Sequence, residues 1–267
     1  MDSLVEFLHT KMPDWNPELY LKFSDQRARP ASDLIAQIKL NNPARIIDVG
    51  CGPGNSTAQL NKRWPQARLA GLDNSPEMLA QARQKNPGWT WIDATIEHWT
   101  PDAPYDLVFS NAALHWVGDH GTIFPRLLSY VASGGALAVQ MPNNFHSPVH
   151  TAMKEVAASP RWNAVLGPAE EHFGVESPAF YYNALRPSAS LLNIWEADYL
   201  QIMDGPRAIL EWIRSTGMRF YLERLHDETE RMAFESDCLD RIEQAYPAND
   251  AGKSLFPYKR MFVIAYR

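Results

Sequence analysis

The run Ile46-Ile47-Asp48-Val49-Gly50-Cys51-Gly52-Pro53-Gly54-Asn55-Ser56-Thr57 constrains this chain more than any other stretch, because it joins a buried strand, a glycine turn and a helix start. Ile46, Ile47 and Val49 suit a strand covered on both faces, while the three glycines permit a sharp turn and the close approach of a ligand to the backbone. Asn55, Ser56 and Thr57 can cap the helix that follows, whose free N–H groups favour an anion. A tight strand-to-helix connection with no ligand would use the same residue types. The spacing departs from the dinucleotide fingerprint, in which two residues separate the second and third glycines, and no Gly-Lys-Ser/Thr follows. The pattern therefore favours a nucleoside cofactor other than NAD and does not support a P-loop.

Further strand ends repeat the theme. Ala67-Arg68-Leu69-Ala70-Gly71-Leu72-Asp73 reads as a second strand ending in a carboxylate, placed where a doubly wound sheet holds a ribose-binding acid. Trp89 to Ala94 is a third strand with Asp93 near its end, and Asp106 to Ser110 a fourth that runs into Asn111-Ala112-Ala113-Leu114-His115-Trp116. Each acid taken alone is equally a helix cap or a solvated turn. As an ordered set they mark the carboxyl ends of parallel strands, where such sheets gather their ligands.

Helical spacing over Asn55 to Arg63, Pro76 to Lys85 and Thr122 to Tyr130 alternates with these strands, which predicts an α/β fold with a parallel sheet covered by helices. Upstream, Leu4, Val5 and Leu8 make a short amphipathic turn broken by Pro13, and Ala31 to Ile38 forms a helix leading into the first strand. Ala136 to Gln140 is a fifth strand; Leu191 to Met203 and Met261 to Tyr266 look like two more, with helices over Pro206 to Ser215 and Thr229 to Tyr246 between them. The Pro-rich stretch from Ser159 to Pro187 reads as an irregular connection.

Asp48 to Thr57, Gly71-Leu72-Asp73-Asn74-Ser75-Pro76-Glu77-Met78, Asp93-Ala94 and Asn111 to Trp116 together resemble the class I S-adenosylmethionine-dependent methyltransferases. Asp14 to Pro17, Tyr20 to Phe23, Arg27 to Pro30, Leu137 to Asn144 and Glu211 to Arg219 extend the resemblance, across nearly the whole chain, to the trans-aconitate methyltransferase family. The resemblance implies a Rossmann-like fold with a mostly parallel seven-stranded sheet, its last strand antiparallel, helices on both faces and a helical lid. It implies one domain over 1–267, with N-terminal substrate or lid helices in 12–43, a cofactor-binding core in 44–142, and the lid with the final strands in 143–267. The implied activity is methyl transfer from S-adenosyl-L-methionine to a carboxylate of trans-aconitate. Another small polycarboxylate or a malonyl thioester is the enzymatic alternative, and a regulatory protein that binds the cofactor without turnover is the alternative of another class.

By the same resemblance, Gly50 and the Gly52 to Gly54 turn pass under the methionine portion of the cofactor, with Asn55 at the helix start, and Asp48 orders the turn or meets the ammonium through water. Asp73 holds the ribose hydroxyls. Asn74 or Met78 packs near the adenine, Asp93 accepts from its amino group and the Ala94 amide donates to its ring. Asn111 offers its carbonyl to the ammonium, and Trp116 borders the site. Helical Met residues are also ordinary core residues.

A carboxylic acid acceptor with an ordinary pKa near 4 is already ionised at neutral pH, so no general base and no catalytic histidine are expected. Positioning of the reacting atoms and exclusion of water remain for the protein to supply. The other carboxylates of a polyacid need partners, and arginine's planar donors engage carboxylates bidentately. Arg29, Arg219 and Arg260 are the candidates, with Arg27 beside them; solvated arginines at the same positions are the plain alternative. Tyr20, His146, Trp195, Tyr199 and Trp212 complete the expected wall. His115 is as readily a packing residue as a substrate contact, and His98 and His120 read as exposed loop or cap residues. No metal site is expected, because Pro148 lies between His146 and His150 and no Glu stands where a helical zinc motif needs one. The acceptor end departs from the family at Arg219-Phe220 and at Phe256 to Arg260.

Net charge of -6 gives no support to a nucleic-acid surface, and the two cysteines, Cys51 and Cys238, indicate no disulfide framework. Cys51 reads as a small packed residue. Without an apolar run long enough to span a bilayer or a basic apolar leader, the expectation is a cytoplasmic, monomeric enzyme with a small-molecule substrate and neither membrane nor nucleic-acid partner.

Overall fold

Aliphatic runs form the strands, and most helices start at a Ser, Gly or Asp, in the computed structural model of the protein, which describes residues 24–167, 174–214 and 216–267. The elements run α1 (Ser24–Gln37), β1 (Arg45–Val49), α2 (Asn55–Arg63), β2 (Arg68–Asp73), α3 (Pro76–Lys85), β3 (Thr90–Asp93), β4 (Tyr105–Asn111), α4 (His120–Ser129) and β5 (Val131–Pro142). Then follow α5 (Pro148–Ala157), α6 (Pro160–Leu166), α7 (Pro178–Leu185), β6 (Leu191–Met203), α8 (Gly205–Arg214), α9 (Arg219–Leu222), α10 (Glu228–Ala245) and β7 (Ser254–Tyr266). The sheet has seven strands in the order β3-β2-β1-β4-β5-β7-β6. The first five strands pair in parallel, and β7 runs antiparallel to β5, with Gln140 opposite Phe262 and Pro142 opposite Arg260. The reversal between β2 and β4 on either side of β1 is the switch point at which doubly wound sheets open a crevice.

By contacts the described residues divide into two compact units, one of 25–145, 174–200 and 257–267, the other of 146–167 and 201–256. In the first, alternate residues of each strand feed two cores. On one sheet face Ala31, Leu34, Ile35 and Ile38 of α1, with Leu60 and Trp64, cover Ile46, Leu107, Phe109, Ala138, Phe262 and Ile264. On the other, Phe124, Leu127 and Leu128 of α4 and Tyr181 and Leu185 of α7 cover Ile47, Val49, Val108, Leu137, Val139 and Val263. Each large side chain so buried contributes about 1.5–3 kcal/mol, which is why β1 reads as a nearly continuous apolar run and not as an alternating one. The second unit is mainly helical: α10 packs against α5 and α8, with Trp162 edge-on to Phe234 at 5.4 Å and Trp212 against Phe256 at 6.2 Å. Among the described residues no helix is long and apolar enough to cross a membrane.

Three expectations are corrected. The stretch expected to be irregular contains α6 and α7, each opened by a Ser-Pro pair; proline is tolerated in the first helical turn, and the Ser177 hydroxyl accepts from the Phe180 amide at 3.2 Å. Pro148 opens α5 by the same rule, so His150 lies on that helix and His146 before it. The fifth strand starts earlier than its apolar run, at Val131, and passes through Gly134-Gly135; a side chain at 135 would stand 2.5 Å from the Asp106 carbonyl oxygen, so a glycine pair that looks like a turn is a close strand contact. The amphipathic turn at Leu4 to Leu8, Pro13 and the first part of the expected N-terminal helices lie outside the described residues.

Candidate functional site

Polar groups collect at the carboxyl edge of the parallel strands. Gly50, Gly52 and Gly54 all have positive φ (73°, 53° and 84°), and the turn they make is tied to the next strand by the Gly50 and Cys51 amides, which donate to the Leu72 carbonyl at 2.7 and 3.0 Å. Asp73 holds both sides of it: one carboxylate oxygen accepts from the Gly52 amide at 2.8 Å and the other from the Ser75 amide at 2.9 Å. Each oxygen keeps a further lone pair on the partly exposed side chain, which is the acceptor capacity a pair of hydroxyls needs.

The glycines serve different purposes. A side chain at Gly50 would meet the Ala113 methyl at 2.2 Å, and one at Gly54 would meet the Trp91 indole at 2.8 Å. At Gly52 nothing lies within 4 Å, so its missing side chain leaves open space. Ala112 carries the chain back towards Gly50 with φ of 54°, an unusual value for a residue with a Cβ, and its amide donates to the Gln140 carbonyl at 2.9 Å.

Asp48 is wholly buried. Its Oδ2 accepts from the Ser56 and Thr57 hydroxyls, both at 2.7 Å, while Oδ1 has no partner. Burial pushes its pKa up to about 6, against the two hydroxyls that favour the ionised form. Asn111 Oδ1 is likewise buried and unpartnered. Asp93 and Asn74 are exposed, Asn55 is exposed at the start of α2, and Met78 is half-buried in the first turn of α3. The Ala94 amide, expected to serve an adenine ring, donates instead to the Asp73 carbonyl at 3.1 Å and continues the sheet ladder. Trp116 is 46% exposed and lies 4.8 Å from the His115 ring. Burial and the charge of Arg260 lower the His115 pKa to about 3, so this imidazole is neutral. Burial pushes the Cys51 thiol far up, as befits a packing residue.

His120 departs from its expected exposed place. It is buried, with Nε2 donating to the Leu114 carbonyl at 2.8 Å and Nδ1 accepting from Tyr181 Oη at 2.7 Å, and Tyr181 Oη in turn accepts from the Glu176 amide at 3.0 Å. Asp119 caps α4 in the left-handed conformation just before His120, and the bond from His120 to the Leu114 carbonyl anchors the loop carrying Ala113 to Trp116.

The other end of the edge is basic. Arg260, at the β7 position opposite Pro142, is 5% exposed and lies over the Tyr258 ring at 4.2 Å. Its charge also reaches Tyr199, whose pKa is raised by burial and by the Asp33 carboxylate that accepts from its hydroxyl at 2.7 Å. Arg29 pairs with Asp33 at 3.7 Å and lies over the Tyr199 ring at 5.3 Å. Trp195 stacks on Phe262 at 4.6 Å and 4°, as a packing residue of the sheet. Trp212, Arg219 and His146 belong to the other unit. There Trp212 is buried, Arg219 pairs with Glu223 at 2.9 Å, and His146 is exposed. Tyr20 lies outside the described residues.

Sequence reasoning gave no site role to Gln140 and Asn144, both buried, whose side-chain amides have no hydrogen-bond partner on either atom. The available signal was a polar residue inside the apolar run Ala136 to Met141.

A methyltransferase-domain family model matches residues 46–135. The trans-aconitate 2-methyltransferase of Azoarcus sp. (strain BH72) is 45% identical over 256 residues, 96% of this chain and 100% of that protein. The solved structure of the YcgJ protein from Bacillus subtilis is 13% identical with a TM-score of 0.56, over 90% of this chain and 99% of that one. Geranyl diphosphate C-methyltransferase from Streptomyces coelicolor A3(2), solved with S-adenosyl-L-homocysteine, is 13% identical with a TM-score of 0.52, over 93% of this chain and 82% of that one. The two structures share the fold with this sheet, and identity over almost the full length of the Azoarcus protein decides the rest: the chain belongs to the trans-aconitate 2-methyltransferase family.

Proposed function

We propose that this chain transfers the methyl group of S-adenosyl-L-methionine to one carboxylate of trans-aconitate, giving a monomethyl ester. The observation that carries the reading beyond family membership is the division of one sheet edge into an acidic part, with Asp48, Asp73 and Asp93 on β1 to β3, and a basic part, with Arg260 on β7 and Arg29 on α1. The cofactor brings hydroxyls, an ammonium and a sulfonium but no phosphate, which suits the acidic part. The unpartnered Asp48 Oδ1 and Asn111 Oδ1 and the open space at Gly52 are places on the chain that fit such a group. A polycarboxylate suits the basic part.

When bound, S-adenosyl-L-methionine supplies a methyl group made electrophilic by the sulfonium. The acceptor carboxylate is ionised at neutral pH and needs no proton removed, and His115, its pKa lowered to about 3 by burial, is only a weak proton acceptor. The work left to the protein is orientation and exclusion of water. In this reading Asp73 takes the ribose hydroxyls, the Gly52 backbone lies along the methionine portion, and Asp48 and Asn111 stand near the ammonium. Asn74, Met78 and Asp93 border the adenine, and Trp116 covers the reacting end. Arg260 and Arg29 take acceptor carboxylates, with Tyr199 between them; Arg219, Trp212, His146 and Tyr20 are acceptor-binding candidates by resemblance alone. A cytoplasmic monomer is part of the proposal.

Purified protein should form S-adenosylhomocysteine and a monomethyl ester faster with trans-aconitate than with cis-aconitate, citrate, isocitrate, itaconate or a malonyl thioester, as read by mass spectrometry. Preference for the thioester, or cofactor binding with no turnover on any of them, would refute it.

A further inference from the structure

Gln140 is the least accounted-for side chain of the sheet. It lies in the middle of an apolar strand, is 0% exposed, and neither Oε1 nor Nε2 has a hydrogen-bond partner. A buried amide left in this state costs free energy that a methionine or leucine of similar volume would not, so the fold alone gives no reason for it. Its place is informative. Register puts Gln140 beside Asn111 on β4 and opposite Phe262 on β7, on the sheet face that also carries Asp48 and Arg260. Going across that face at the carboxyl edge, the order is a carboxylate (Asp48), two neutral amides (Asn111 and Gln140), then a guanidinium (Arg260). Strands lie about 4.8 Å apart, so the two amides are one strand spacing from each other, while Asp48, paired with Phe109, and Arg260, paired with Pro142, are diagonal neighbours at roughly 7–8 Å.

Resting on the proposed methyl transfer between a cationic donor and an anionic acceptor, we propose that Gln140 is the side chain that orients the acceptor carboxylate where the two meet. Its chemistry suits that junction better than a charged group would. A lysine or arginine would repel the sulfonium and hold the carboxylate's lone pairs by ion pairing; an aspartate or glutamate would repel the acceptor. A primary amide offers an N–H to one oxygen of the carboxylate and leaves the other free to attack, while its own oxygen faces positive charge. The unpartnered state of both atoms is then the signature of a site whose hydrogen bonds are completed by ligand. Asn144, buried and equally unpartnered just beyond the end of β5, extends the same unsatisfied stripe.

The test separates an acceptor contact from a structural role, because the two predict opposite effects on stability. Gln140→Met keeps the shape and removes both polar atoms. In the ligand-free protein it should raise Tm by roughly 2–4 °C, since an unsatisfied buried amide is gone. In protein saturated with S-adenosylhomocysteine, calorimetric titration with trans-aconitate should show Kd weakened about 10- to 100-fold, the loss of one hydrogen bond to a charged group. The affinity for S-adenosylhomocysteine itself should change less than about twofold, and the KM for the acceptor should rise in step with its Kd. Gln140→Leu, tested alongside, should behave the same way. A Tm lowered by several degrees with both ligands weakened would mean that the amide is bonded within the fold, and would overturn the proposal. So would wild-type acceptor affinity in both variants. Wild-type protein that binds S-adenosylhomocysteine but no polycarboxylate would instead refute the functional reading on which the proposal stands.

Discussion

Along one sheet edge, the β1 to β3 half surrounds its acids with partners close in sequence, whereas the β5 and β7 half buries polar groups without them. Asp48 takes the hydroxyls of Ser56 and Thr57, and Asp73 takes the amides of Gly52 and Ser75. Gln140 and Asn144 take none, and Arg260 comes from a strand far along the chain. The first half is therefore organised by its own turn before any ligand arrives. The second half carries hydrogen-bonding capacity that the fold leaves unfilled, and burial without a partner is tolerated where a ligand restores the balance. If the comparison is right, substitutions in the first half act on turn stability and cofactor affinity, and those in the second act on the acceptor.

The largest effect should come from the one orphan in the acidic half. With the Asp48 pKa at about 6 in the fold and an ordinary value of 3.8, the group contributes stability that is fully present below about pH 4 and is lost as pH rises through 6. Replacement Asp48→Asn keeps an acceptor for the two hydroxyls and cannot titrate. Ligand-free wild type should thus lose up to about 3 kcal/mol relative to the Asn variant between pH 4 and pH 7.5, measured by urea denaturation. A difference curve that is flat over that window would place Asp48 in a more polar setting and weaken the contrast between the halves.

Next in size is Asp73→Ala. It removes a carboxylate that takes two turn amides and, in the proposed role, the ribose hydroxyls. Charged hydrogen bonds contribute about 1.5–3 kcal/mol, so the Kd for S-adenosylhomocysteine should rise on the order of 30- to 100-fold, with the acceptor KM at saturating cofactor little changed. Equal weakening of both would dissolve the division of the edge into two sites.

The difference between the halves also decides what could be read from the chain. Asp48, the glycines and Asp73 form a local pattern because one strand, one turn and the next strand end build the whole arrangement, and spacing alone encodes it. The parallel sheet covered by helices follows for the same reason, from alternating apolar runs and helix starts, whereas the antiparallel last strand was implied by the family resemblance alone. Gln140 was hidden because a single glutamine in an apolar strand has no local signature; its importance appears only when β4 and β7 close around it. His120 was misjudged since its environment is made by Tyr181 and the Leu114 carbonyl, and only the former is remote in sequence, brought in when α7 packs on α4. The Ser-Pro helix starts of α6 and α7 were legible in principle, and the density of prolines concealed them.

The smallest effect should distinguish two kinds of arginine within the basic half. Arg260 is 5% exposed, whereas the Arg29 and Asp33 side chains are 70% and 47% exposed and their ion pair is 3.7 Å long. An exposed pair of that kind contributes little, so Arg29→Ala should change ligand-free stability by less than about 0.5 kcal/mol. Asp33 keeps the Tyr199 hydroxyl at 2.7 Å, so the local frame survives the loss. A guanidinium that reaches the acceptor from solvent should still be felt in binding, as a rise of about three- to fivefold in acceptor KM with kcat and cofactor affinity unchanged. An effect as large as that of Gln140→Met would shift the centre of acceptor recognition from the buried stripe to the exposed rim. No effect at all would confine it to β5 and β7, where desolvated donors bind a carboxylate more strongly than solvated ones do.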